Sequence, residues 1–496
     1  MPINFISMNR FVSLAALCLF NVQFGLAQNQ TTPPAQQIAA KVDEYLNAAV
    51  KFNHFSGSVL VARDGQPIMS KGYGMANYEL NVPNTPNTVF RIASITKQFT
   101  ATATMMLQER GKLDVNDPIC KHLENCPAAW KPVTIRHLLT NTSGIQSYTE
   151  LPDFGKLSVQ PTTSAEILDL FRDKPLAFTP GEKFAYSNSG YYLLGLLIEK
   201  ASGKPYAEFL RDNIFVPLGM KNSGYDDSHT LLPNRANGYE REGRSFVNAR
   251  YMNMAAPYSA GALYSTTEDL LLWDKALYTE KLVSRKSLDE IFAPFREVVR
   301  DGWVGYAYAY GWIIGKQSGR QVSRHDGGIR GFSTDIVRFP SERVTVIVLS
   351  NNQTVIPYKL ANDLSAIAFG APYKLPTLPV SEVLATTIAQ KGIAPALQQY
   401  RELKRTLPDN YDFSEPVLNR LGYDLLRNQK VKEAIEIFKL NVEMFPQAFN
   451  VYDSLGEAYM VNGDKELAIK NYEKAVELNP QNKHSINMLK KLRGSN

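Results

Sequence analysis

Ser94-Ile95-Thr96-Lys97 opens an apolar, helix-forming stretch that runs to Arg110. On a helix, positions i and i+3 share a face, so this spacing sets the Lys97 amine beside the Ser94 hydroxyl. A serine hydroxyl is a weak nucleophile until a neighbour takes its proton. A partly buried lysine can take it once its pKa is depressed. Chance alone supplies about one or two such spacings in a chain of this length, so the weight of the pair depends on its companions.

Working outward, Ser56 to Ala62 and Gln66 to Lys71 read as strands joined at Arg63-Asp64-Gly65, a hairpin signal, and Gln37 to Lys51 before them has helical periodicity. The middle, from about Leu113 to Ala276, reads as helices and loops. Strand patterns return at Tyr306 to Ile314, Gln321 to Arg324, Phe332 to Phe339 and Arg343 to Ser350, and Tyr358 to Phe369 reads as a closing helix. Early strands, a helical insertion and late strands predict an α+β fold: one antiparallel sheet flanked by helices, closed by both ends of the catalytic segment.

A serine–lysine hydrolase needs a further proton carrier and an oxyanion hole. Tyr186-Ser187-Asn188 and Tyr251-Met252-Asn253 both offer a Tyr-x-Asn spacing. The first follows Thr179-Pro180-Gly181 and precedes an apolar helix, so it stands at a loop-to-helix junction. The second lies in an irregular stretch, and Tyr186 with Asn188 is favoured. His325-Asp326-Gly327-Gly328 ends a predicted strand, where glycines let a substrate approach the backbone closely. No Gly-x-Ser-x-Gly elbow and no His-Glu-x-x-His occurs, and the six histidines are scattered. The pattern therefore calls for no metal and no cofactor.

Taken in order, Ser94-x-x-Lys97, Tyr186-x-Asn188 and His325-x-Gly327 resemble the three motifs of the β-lactamase-related serine hydrolases, a family of class C β-lactamases, D-alanyl-D-alanine carboxypeptidases and esterases. Thr142-Ser143-Gly144, Pro217-Leu218-Gly219-Met220, Ala260-Gly261 and Gly331-Phe332 are supporting landmarks, over about Val42 to Ala368. The resemblance implies a β-lactamase/transpeptidase-like fold and a mechanism. Ser94 attacks a carbonyl carbon, Lys97 and Tyr186 share the proton traffic, and either is open as the base. Asn188 orients Lys97 and substrate, and the N–H groups of Ser94 and Gly328 hold the oxyanion. His325 joins the tyrosine network, and Gly327 and Arg330 line the substrate.

Two departures matter. Penicillin-directed members carry Lys-Thr-Gly at the third motif, where this chain has a histidine; Arg330 is then the better candidate for a substrate carboxylate, since Arg324 points off the His325 face. Asn141 stands where the family often has histidine, a position read as structural. The expected substrate is an amide or ester, such as a D-amino-acid peptide, a peptidoglycan fragment or a small ester. A β-lactam and an inactive, ligand-sensing pocket are the alternatives.

The first 27 residues read as a secretory signal, with Arg10, the apolar run Phe11 to Phe20 and Gly25-Leu26-Ala27 as the exit. A lipidated Cys18 or a retained anchor is the alternative. The expected location is thus periplasmic or secreted, where Cys120 and Cys126 can pair, or stay as thiols; such a pairing is also familiar in the family. A net charge of +6 spread without basic blocks points to neither nucleic acid nor membrane as partner. The hydrolase is expected over residues 28–370 and a linker over 371–380. A helical tail over 381–496 then repeats Leu421-Gly422, Ala434, Phe438 and Pro446 as Leu455-Gly456, Ala468, Tyr472 and Pro480, each 34 residues later. That period and those residue types resemble tetratricopeptide repeats, which either pack on the hydrolase or bind a protein partner.

Overall fold

The structure, a computed structural model, describes residues 33–494 except 53, 243–244 and 299–304. The predicted leader, with Cys18, lies outside the described residues. Helix α1 (Ala35–Lys51) buries Ile38, Val42, Tyr45, Leu46 and Ala49, one face at helical spacing. Strands β1 (Gly57–Arg63) and β2 (Gln66–Tyr73) follow. Asp64 and Gly65 between them both have positive φ, 53° and 69°, the conformation a two-residue type I′ hairpin requires.

Late strands complete the sheet: β3 (Arg296–Glu297), β4 (Ala307–Tyr308), β5 (Ile313–Gln317), β6 (Arg320–Ile329), β7 (Phe332–Phe339) and β8 (Val344–Ser350). Their order is β3-β4-β5-β6-β7-β8-β1-β2, every neighbour antiparallel. The stretch read as a single strand, Tyr306 to Ile314, is split into β4 and β5 at Gly311. That glycine has φ +74°, and a Cβ there would stand 2.6 Å from the Lys97 carbonyl oxygen. The chain turns where it presses on the helix below. Strand β6 also outruns its expected end, because its pairing with β7 continues to Ile329↔Phe332 and carries the His325 motif inside the sheet.

Both faces of the sheet are covered, which is why β8 carries apolar residues on both faces, interrupted only by Thr345 before its terminal Ser350, and is buried throughout. Val59, Val61, Val337, Val346 and Val348 face α1 and the closing helix α4 (Pro357–Phe369). The alternate residues Leu60, Ile336, Ile347 and Leu349 face the helical region. At its centre lies α2 (Thr96–Glu109), buried from Thr96 to Leu107. The hydroxyls of Thr102 and Thr104 donate to carbonyls four residues back, at 2.9 Å each, so these polar groups are satisfied without water. Helix α3 (Asn188–Ser202) packs beside α2. Cys120 and Cys126 are joined by a disulfide, Cα–Cα 5.3 Å. Among the described residues no helix is long and apolar enough to cross a membrane.

The tail forms helices α5 (Val380–Lys391), α6 (Ile393–Thr406), α7 (Glu415–Arg427), α8 (Val431–Met444), α9 (Phe449–Asn462), α10 (Lys465–Leu478) and α11 (Lys483–Arg493), around an apolar core of its own. The repeated glycines sit where paired helices meet: a Cβ on Gly422 would stand 2.4 Å from the Phe438 ring, and one on Gly456 3.1 Å from that of Tyr472. Replacing a helical glycine by alanine gains about 1 kcal/mol of helix propensity, whereas overpacking costs about 1–3 kcal/mol. The clash wins at Gly422 and the two effects nearly cancel at Gly456. Urea denaturation followed by circular dichroism is expected to show Gly422→Ala destabilised by about 1–2 kcal/mol and Gly456→Ala close to wild type. Equal losses at both sites would refute this packing account.

Candidate active site

Ser94 lies in a single 3-10 turn, Ala93–Ile95, that runs directly into α2. Ala93 before it is held at φ +47°, a conformation that costs a non-glycine residue energy and persists only under tight constraint. Lys97 follows one turn on, its Nζ 3.0 Å from Ser94 Oγ. This lysine is fully buried. Its Nζ donates to Asn188 Oδ1 and to the Ala260 carbonyl, both at 2.8 Å, and lies 4.9 Å from the centre of the Tyr186 ring. Burial holds the Lys97 ammonium well below its ordinary pKa of 10.5, against an opposing pull from the Asp326 carboxylate.

Tyr186 reaches the same oxygen from the other side, its hydroxyl donating to Ser94 Oγ at 2.8 Å. The loop that brings it there is stitched to residues 141–147. Asn141, at φ +54°, accepts from the Ser187 amide through Oδ1 (3.1 Å) and from the Ala185 amide through its carbonyl (2.9 Å). Ser187 caps α3 and donates to the Ile145 carbonyl at 2.9 Å. Asn188 is then fixed from both ends: its amide donates to Ser147 Oγ and its Nδ2 to Thr149 Oγ1 (3.0 Å), which leaves Oδ1 toward Lys97. The rival Tyr251 is more than half exposed and lies in the irregular 249–257 segment; its carbonyl accepts from Arg330.

The third motif crosses above this group on β6. His325 is buried, its Nε2 3.0 Å from the Tyr308 hydroxyl and its Nδ1 2.6 Å from the Asp326 carbonyl, with its ring centre 6.2 Å from that of Tyr186. A Cβ on Gly327 would stand 2.5 Å from the Ile92 carbonyl oxygen and 3.0 Å from the Ser94 nitrogen. Strand and Ser94 turn therefore touch backbone to backbone, which only glycine permits. Gly328 is exposed, with open space where a side chain would stand.

Arg330 is placed differently from the expectation. Its guanidinium donates to the Tyr251 carbonyl (2.7 Å) and to Ser158 Oγ (3.1 Å), tying two loops together. The turn after β6 carries it away from the glycines and into those loops. Arg324 is buried on the opposite face of the sheet in an ion pair with Asp335 and donates to Asn362 Oδ1 at 2.6 Å. Four parts of the site carried no recognisable role in the sequence: Ser147, Thr149, Tyr308 and the use of the Ala260 carbonyl. Only Ala260-Gly261 stood out there, as a landmark without a task.

The β-lactamase family model matches residues 42–371, and a tetratricopeptide repeat model matches residues 454–482. A penicillin-binding protein of Bacillus subtilis (strain 168) is 29% identical over 446 residues, 84% of this chain and 95% of its own. Among solved structures, the octameric penicillin-binding protein homologue from Pyrococcus abyssi is 30% identical with a TM-score of 0.61, covering 70% of this chain and 81% of its own. The D-amino acid amidase from Ochrobactrum anthropi SV3 is 25% identical with a TM-score of 0.60, covering 67% and 97%. The fold and the family match are those of a serine hydrolase. The chain belongs to the β-lactamase family and carries a tetratricopeptide repeat behind the hydrolase fold.

The contact of Gly327 with Ile92 and Ser94 sets the position of Ser94. Gly327→Ala is expected to slow labelling of Ser94 by a fluorophosphonate about 10²-fold, the penalty for a displacement of about 1 Å. Labelling at the wild-type rate would show that the contact is not needed.

Proposed function

We propose that the chain is an exported hydrolase that forms an acyl-enzyme on Ser94 and acts on an amide or ester of the D-amino-acid peptide type. The observation that carries this reading is the suspension of one hydroxyl oxygen between the Lys97 amine and the Tyr186 phenol. A neutral amine has two hydrogens and one lone pair. The hydrogens are taken by Asn188 Oδ1 and the Ala260 carbonyl, which leaves the lone pair for the Ser94 hydroxyl. Lys97 is then the base that removes the Ser94 proton as Oγ bonds to the substrate carbonyl carbon. The oxyanion rests on the N–H groups of Ser94 and Gly328, where one lost donor costs about 10²–10³ in turnover. Collapse breaks the bond to the leaving group, which takes its proton from Tyr186, and Tyr186 is reprotonated by Lys97. Water repeats the sequence to release the acyl group. His325, through Tyr308 and Asp326, braces the tyrosine side of the pocket, and Gly327 keeps strand and nucleophile in contact.

The named relatives include a D-amino acid amidase and penicillin-binding proteins, which supports a D-configured amide over an unrelated ester. The histidine at the third motif, and the engagement of Arg330 and Arg324 elsewhere, weigh against a β-lactam carboxylate as the favoured ligand. Export rests on the reading of residues 1–27, and the Cys120–Cys126 disulfide suits an oxidising compartment. Residues 28–370 form the hydrolase in this reading, and the repeats over 381–496 hold a protein partner.

Parallel turnover of a D-Ala-D-Ala peptide, p-nitrophenyl acetate and nitrocefin tests the assignment. The peptide and the ester are expected to be hydrolysed, and both activities lost in Ser94→Ala. Nitrocefin as the best substrate would move the protein to the β-lactamases. No turnover and no fluorophosphonate labelling of folded protein would leave an inactive pocket. The base assignment has its own test. Because the charged form of Lys97 is inactive, kcat/KM is expected to fall as pH drops through its lowered pKa, with the limb well below 10.5. A limb at the ordinary lysine value would remove Lys97 as the base.

A further inference from the structure

We infer that the repeat tail sets the geometry of the catalytic pocket through the hairpin Tyr239–Glu242/Ser245–Asn248, with Arg241 and Glu382 as the positioning pair. This rests on reading Ser94 as nucleophile and Gly328 as an oxyanion donor. The tail has an apolar core separate from the two that sandwich the sheet, and a polar contact joins it to the hydrolase at the hairpin. Glu382, in the first turn of α5, forms an ion pair with Arg241 on the hairpin, and the two side chains keep only 11% and 16% of their exposure. A pair so far withdrawn from water holds its geometry much better than an exposed one.

The hairpin transmits that position to the pocket at two places. At its base, the Ala249 amide donates to the Gly238 carbonyl (3.0 Å), and the Tyr239 amide to the Asn351 carbonyl (3.0 Å). Gly238 lies directly on Gly331: a Cβ on Gly331 would stand 2.5 Å from the Gly238 Cα and 2.9 Å from the Ala249 Cβ. Gly331 belongs to the two-residue turn between β6 and β7, three residues past Gly328. At its exit, the hairpin strand leads into Tyr251, whose carbonyl accepts from Arg330 of that same turn, and Arg330 also holds Ser158. The Gly238 and Gly331 backbones are pressed together, with no long side chain between them to absorb a shift. A displacement of the hairpin therefore moves the turn, and with it the Gly328 amide. Arg330 serves here as a strut between the hairpin exit and the oxyanion strand.

A charge-reversal cycle in the full-length protein tests the coupling, read as the rate constant for fluorophosphonate labelling of Ser94 and, separately, the labelled fraction at completion. Arg241→Glu and Glu382→Arg are each expected to slow labelling about fivefold or more with the final labelled fraction unchanged, and the double variant to recover to within twofold of wild type. A pair that served only the stability of the fold would lower the labelled fraction and leave the rate of the remainder unaltered. Single variants labelling at the wild-type rate, or a double variant as slow as either single, would overturn the coupling. If a reversal fails to give a wild-type melting curve, Arg241→Gln and Glu382→Gln are measured in its place: each is expected to slow labelling with the final labelled fraction unchanged, and labelling at the wild-type rate overturns the coupling. Absence of labelling in the wild type removes the Ser94 reading and the coupling with it, whereas equal labelling in all variants removes the coupling alone.

Discussion

An amine without water is the constraint around which the hydrolase is arranged. Lys97 is sealed between α2, α3 and the 258–261 turn, and its nearest polar company is a hydroxyl, an amide oxygen and a backbone carbonyl. Burial without a contacting carboxylate favours the uncharged form, the direction in which its pKa is moved. An orphaned amine in that position would cost several kcal/mol. Two carbonyl-type acceptors offset much of that cost, and the rest of the fold holds those acceptors still.

The surrounding architecture can be read as support for this arrangement. Asn188 is pinned by Ser147 and Thr149, themselves on the segment that Asn141 and Ile145 fasten to the tyrosine loop. The carbonyl of Ala260 is presented by a turn whose Tyr258 is held at φ +40° and whose Ser259 carbonyl accepts from Thr100 of α2 at 2.7 Å. From above, β6 presses on the Ser94 turn through Gly327 and the β4–β5 turn presses on α2 through Gly311. Each contact is too close for any side chain, and each converts the rigidity of the sheet into the position of Ser94. Strain at Ala93 and Tyr258 is tolerated because the packing on all sides over-determines it.

Tail and hydrolase are joined on different physical terms. Within the tail, glycine against aromatic ring repeats from helix pair to helix pair, an apolar interaction that needs nothing from the hydrolase. Toward the hydrolase, the contact at the hairpin is charged and nearly buried.

Much of the chemistry was legible before any coordinates, because it is written at short range. Ser94 and Lys97 are one helical turn apart, the Asp64-Gly65 turn and its flanking strands lie within one hairpin, and the repeats return every 34 residues; helix and strand periodicity suffices to place such groups. The fold class, the family and the repeat tail followed from those local signals. The meeting of Ser94 with Tyr186 across 92 residues, the drying of Lys97, the use of the Ala260 carbonyl and of Thr149, and the diversion of Arg330 into a strut did not. Those depend on which surfaces are pressed together and which groups lose water, and burial is a property of the packed chain as a whole. Spacing along the chain singled out the candidate groups, and only the tertiary structure decided their partners and which of them are buried.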